Sequence, residues 1–248
     1  MPALRIFLIF IILILFWQLI VLVNDLPFYI LPTPYNVLQA LVNNFIILLA
    51  NTWITIKEII FGLLLGISLG TILALLVTYC QHLRLWLLPL IIISQAIPVF
   101  ALAPLFVLWF GYDLLPKILM AAIIIFFPIT TAFLDGLMKT PKAWMELAHI
   151  ATKNKWRVLI FLQLPAALPH FASGFKIAMT VAPIGAIIGE WIGASSGLGF
   201  LMIQANARGR VDLVFAALTI LSILSLVLFF ISHSLSNKII KKFSVQPI

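Results

Sequence analysis

Charge is what this chain has least of. Only 9% of its 248 residues are Asp, Glu, Lys or Arg, against about 25% in soluble domains. An ordinary soluble domain is therefore excluded. A single cysteine, Cys80, rules out an internal disulfide and any cysteine-rich metal site. The four histidines, His82, His149, His170 and His233, stand far apart and make no metal-ligand spacing. No Gly-Lys-Ser/Thr phosphate loop occurs, so the chain does not hydrolyse ATP by that route. Alternation of apolar and polar residues is also missing from runs such as Ile6 to Val23, which excludes a β-barrel.

What is there is apolar: 64% of the residues are hydrophobic. Runs long enough to cross about 30 Å of hydrocarbon recur along the whole sequence. The reading is all-α and polytopic, one transmembrane domain over 1–248 in the lipid bilayer. Six spans are expected at about 5–23, 55–79, 86–109, 117–135, 171–190 and 212–235. The first has no small-x-small cleavage site after it and reads as an uncleaved helix. Between the first two, "LPFYILPTPYNV" is rich in proline and reads as extended, followed by a short interfacial helix over 36–50.

The net charge of +8 does not point to nucleic acid, because the basic residues lie at the ends of the spans. With the N-terminus in the cytoplasm, eleven lysines and arginines face inward. Only Lys57, Lys117, Arg208 and Arg210 face outward. The bias places both termini inside and leaves a cytoplasmic loop over about 136–170.

That loop opens with Thr140-Pro141, a good cap followed by a residue suited to the first helical position. Trp144, Leu147, Ala148 and Ala151 then recur at helical spacing, with Glu146, His149 and Lys153 off that face. A second helical run, Lys155 to Leu164, is expected to stop before Pro165. Pattern alone leaves three uses open for the amphipathic piece: packing on its own protein, lying on lipid, or docking into a partner.

Inside the spans, Gly62, Gly66 and Gly70 form a stripe for close helix approach. Pro89, Pro98, Pro104, Pro128 and Pro183 are candidate kinks. Pro98, Pro104 and Glu190 are candidate translocation-pathway residues. Trp191 suggests interface depth for Glu190, and Glu58 and Asp135 are expected to reach water. The Gly-rich 193–199 reads as an outer turn. Paired acids and Ser/His pairs are not seen within the spans, which argues against an intramembrane enzyme. The near absence of charge there argues against a secondary carrier or channel with a buried relay.

The loop resembles the coupling loop of ABC-importer permeases. Glu146, Leu147 and Ala148 stand where that family reads Glu-Ala-Ala, Thr152 where it has Gly, and Leu164-Pro165 closes the motif. "LPTPYNV" (31–37), "AIPVFALAPLFVLWFG" (96–111), "FFPI" (126–129) and "GEWIGASSGLGFLM" (189–202) resemble its nitrate, sulfonate, taurine and thiamine-precursor branch. "ANARGRVDLVFAAL" (205–218) is most similar to hydroxymethylpyrimidine permeases. The resemblance implies a type I ABC-importer permease fold in a bacterial inner membrane, acting as a homodimer. It implies cytoplasmic ATPase subunits that bind ATP and Mg, and an extracytoplasmic solute-binding protein that sets most selectivity. Glu146, Leu147, Ala148, Thr152, Leu164 and Pro165 would form the ATPase-docking loop. Lys153, Lys155 and Arg157 would anchor it near anionic lipid. The family's riboflavin, sulfonate, taurine and nitrate permeases are alternatives for the substrate.

Overall fold

The computed structural model describes residues 2–243, and every regular element among them is helical. In chain order they are α1 (Pro2–Val23), α2 (Pro34–Asn43), α3 (Phe45–Tyr79), α4 (Gln81–Ser94) and α5 (Ala103–Phe110). There follow α6 (Leu114–Met138), α7 (Lys142–Ala151), α8 (Lys155–Val158), α9 (Leu164–Gly193), α10 (Leu198–Ala207) and α11 (Val211–Phe243).

Packing of α3 and α6, parallel to each other, with α9 antiparallel to both forms the centre, and α11 covers α9 and α2. Small residues make this possible. At Gly66 a Cβ would lie 2.6 Å from the carbonyl oxygen of Ala122, so only glycine lets α3 come this close to α6. Ile59, Leu63, Ala121, Ile125, Ile129, Ala178 and Ala182 fill the seam. The expected glycine stripe thus packs within the chain.

Four helices, α3, α6, the 155–193 run and α11, are long and apolar enough to span, or five if the α4–α5 pair counts as one span. The described apolar part of α1, Leu8–Val23, is shorter than these. An all-α multi-pass architecture holds; six spans are not confirmed.

Three boundaries differ from expectation for local reasons. The segment before the second span is helical earlier, because Thr33 Oγ1 accepts the Asn36 N–H at 3.2 Å and Pro34 starts the helix. It then stops at Asn43, and α3 runs from Phe45 rather than 55. Asn51 and Thr52 do not break α3, since their side chains donate to the carbonyls of Ile47 and Leu48 at 2.8 and 2.6 Å.

The third expected span is two helices bent by 94°. Pro98 has no N–H to donate and sits extended at φ −61°, ψ 108°, and Pro104 stands in the first turn of α5. Finally, the run from Lys155 does not stop at Pro165. A π turn over Leu159–Gln163 leads directly into α9, with Pro165 in its first turn. The wide turn accommodates the bond that proline cannot make.

Candidate functional site: the loop helix and a buried charge cluster

The amphipathic helix forms as α7, but Thr140 is not its cap. Its hydroxyl donates to the Leu137 carbonyl at 3.1 Å, and Pro141 precedes the helix in an extended conformation. The outward face overlaps the expected one only in part: Leu147 and Ala151 are exposed, but Trp144 and Ala148 turn inward. Ala143, Glu146, Leu147 and Ile150 are exposed, Leu147 at 65% and Ile150 at 85%. Trp144, Met145 and Ala148 are half-buried. Trp144 lines a cavity with Pro169, His170 and Phe243. The helix touches the body through its inner side and leaves two large apolar side chains beside one carboxylate facing away.

Thr152 occupies the break between α7 and α8 at φ −155°, ψ 140°. That is extended backbone open to any residue, so no glycine is required there. Its Oγ1 accepts the Asn154 N–H at 3.2 Å, and Asn154 Oδ1 in turn accepts from Trp156 and Arg157 at 3.0 and 3.4 Å. The turn is thus built from Thr and Asn side chains. Leu164 packs on the cluster of Ala74, Val77, Leu137 and Leu159. Gln163 Nε2 donates to the Leu137 carbonyl at 3.4 Å, tying the end of the loop to α6.

At the opposite end of the bundle the structure holds something the sequence reading missed. Glu58 does not reach water: it is 0% exposed, and Lys117 is buried beside it, with Nζ 3.1 Å from Glu58 Oε1. Glu190 is 1% exposed rather than at an interface, although Trp191 next to it is 51% exposed. Thr55 Oγ1 donates to Glu190 Oε1 at 2.6 Å and accepts the Leu198 N–H at 2.9 Å. Glu190 Oε2 accepts the Gly199 N–H, and Asn51 Oδ1 accepts the Gly197 N–H at 2.8 Å. Gly197 has φ +114°, and a Cβ there would fall 2.3 Å from the Glu190 carboxyl carbon. Glycine is needed on both counts.

The cluster draws on α3, α6 and α9 and binds the 194–199 connection by three backbone N–H groups. That connection, expected as an outer turn, leads into α10, a helix the sequence reading did not place. The spans therefore contain a charged site, with one ammonium set against two carboxylates away from solvent. Such groups persist in a low-dielectric interior only when paired and hydrogen-bonded.

The candidate pathway residues separate. Pro98 and Pro104 are exposed at the α4–α5 bend, while Glu190 is enclosed. The link between them is at the end of α9, where a Cβ on Gly193 would fall 2.2 Å from Val107 of α5. Outside the spans, Arg210 makes two 3.1 Å hydrogen bonds to Asp212, which hold the guanidinium above its usual pKa.

The family described as "Binding-protein-dependent transport system inner membrane component" matches residues 62–242. The chain belongs to this family. It is 52% identical over 219 residues, 88% of this chain and 89% of the relative, to a probable ABC transporter permease protein of Haemophilus influenzae. It is 36% identical over 233 residues, 92% and 91% of the two chains, to the formylaminopyrimidine transport permease protein ThiX of Halalkalibacterium halodurans. The riboflavin transport system permease protein RibX of Chloroflexus aurantiacus is 33% identical over 244 residues, 97% and 90% of the two chains. The protein is thus a multi-pass inner-membrane permease subunit of a binding-protein-dependent ABC importer. It is not catalytic itself. ATP belongs to a partner ATPase, and the family implies a solute-binding partner as well.

Proposed function

We propose that this permease couples to its ATPase through the outward face of α7, formed by Glu146, Leu147 and Ile150. The observation that carries the reading is a helix whose two most exposed apolar side chains face away from their own protein next to a carboxylate. Ala148 and Thr152 set its inner side and its end, and Leu164-Pro165 fix the return into α9. ATP-driven closure of two ATPase subunits would draw two such loops together.

The same reading has six spans, with α1 as the first and the bent α4–α5 pair as the third, and both termini in the cytoplasm. A reporter enzyme fused after residue 248 is expected to be active only when cytoplasmic fusions are active. Activity solely outside would overturn this orientation. Two copies would pack around the pathway. Support comes from the α4–α5 bend, where residues 95–98 are exposed and irregular. Irregular backbone at membrane depth is tolerated only where protein or water covers it. Pro98 and Pro104 shape that face, and Glu190 acts on the pathway from behind by holding the 194–199 connection.

For the solute, the reading is a small thiamine pyrimidine precursor, supported by the 205–218 segment and the identity to the formylaminopyrimidine permease. Riboflavin is the second reading, supported by the riboflavin permease; sulfonates, taurine and nitrate follow from the family branch. The test is ATP hydrolysis by the permease assembled with its ATPase and binding protein. Hydroxymethylpyrimidine compounds are expected to stimulate it, and riboflavin and sulfonates are not. Stimulation by riboflavin alone would replace the pyrimidine assignment.

A further inference from the structure

A cavity of about 430 Å³ lies between α7 and the rest of the chain, within the size range of small-ligand sites. Three cations from three elements line it: Arg84 of α4, Lys142 of α7 and Lys155 of α8. No acidic residue does, and none of the three makes an ion pair among the described residues. The two threonine hydroxyls present are committed as donors, Thr78 to the Ala74 carbonyl at 2.8 Å and Thr140 to that of Leu137 at 3.1 Å. The charged donors are the three cations, and converging them without an anion costs Coulomb energy.

The floor is apolar, formed by Leu137, Met145, Val158 and Leu159. Tyr79, on the wall, stacks edge-on against Trp156 with ring centroids 5.5 Å apart. Tyr and Trp concentrate at the headgroup level of membranes. A cationic rim over an apolar floor at that level matches an amphiphile with an anionic head better than a free ion. We infer that this cavity binds the phosphate headgroup of an anionic phospholipid, held by Arg84, Lys142 and Lys155. The lipid would lie beneath α7, bridging the loop to the ends of α3 and α6. Only its assignment to the inner leaflet rests on the orientation proposed above.

The site differs from a diffuse attraction of basic residues to lipid, because Lys153 and Arg157 are exposed on the same loop and do not line it. The test is native mass spectrometry of the full chain, purified with phosphatidylglycerol or phosphatidylcholine. Phosphatidylglycerol is expected to be retained preferentially. Its retention should fall roughly fivefold for each cation removed in Arg84→Gln/Lys142→Gln, and stay unchanged in Lys153→Gln/Arg157→Gln. An equal fall in both pairs, or no lipid preference in the unaltered chain, would overturn the site. Retention of inorganic phosphate without a preference for phosphatidylglycerol would overturn the lipid assignment. Arg84 lies on α4, away from the α7 docking residues, so lipid retention and ATPase co-purification measured in Arg84→Gln alone register failure of the two readings separately.

Discussion

Replacing Lys117 with methionine is expected to destabilise the permease by about 3–5 kcal/mol. The substitution keeps most of the packing volume but leaves Glu58 with no counter-charge where it is fully buried. Glu190, held by Thr55 and Gly199 in the same cluster, loses the only nearby cation seen among the described residues. The observable is the temperature at which the detergent-solubilised chain loses its monodisperse elution peak. A second substitution, Glu58→Gln, on top of Lys117→Met is expected to restore most of the loss, because replacing both members of a buried pair is close to neutral. If Lys117→Met elutes and melts like the unaltered chain, the pair does not hold the fold. If the double variant is no better than the single one, the cost lies in packing of the lysine stem.

Leu147→Asp is expected to weaken ATPase recruitment by about 30-fold or more, the scale of an interface hot spot. Ile150→Asp should do the same, and Glu146→Lys should abolish coupling by reversing a charge on that face. Expression and elution should not change, because these side chains meet no other part of the chain's core. Co-purification of the ATPase and solute uptake are the measurements. The inward turn of Ala148 sharpens the outcome: Ala148 and Leu147 are neighbours in sequence, but the larger effect on recruitment belongs to Leu147. Unchanged co-purification in Leu147→Asp and Glu146→Lys together would remove the docking surface.

The sequence made parts of this architecture readable because some signals are local. The α6 and α11 runs are long, apolar and end in charge; α6 agrees with expectation within a few residues at both ends, and α11 agrees at its start but runs on to Phe243. The existence of α7 followed from its spacing. Its orientation did not, since periodicity alone does not say which side of a short helix finds neighbours; the pockets under Trp144 and Met145 decided it. The bend at Pro98 was only half visible. Proline predicts a missing bond, and whether a kink or a 94° reversal results depends on what packs nearby.

The charge cluster was the largest miss. Glu58, Lys117 and Glu190 lie far apart in the chain, each near the end of an expected span, where a single charge usually reaches water. A signal was nevertheless present. All three were placed toward the same outer end of the bundle, and two carboxylates and a lysine one turn inside three spans can meet there. Asn51 and Thr55, polar residues one turn apart on one helix, marked the same place.

The unbroken run from Lys155 to Gly193 has a mechanical consequence. Its 39 residues make a rod about 58 Å long, rooted in the loop at one end and in the Glu190 cluster at the other. Tilting it by about 5° about its loop end would swing the far end by roughly 5 Å, close to one helical turn. A small rotation at the ATPase side thus has enough reach to strain the grip on residues 194–199 across the whole thickness of the membrane. The π turn at Leu159–Gln163 is the place where that rotation is either transmitted or absorbed.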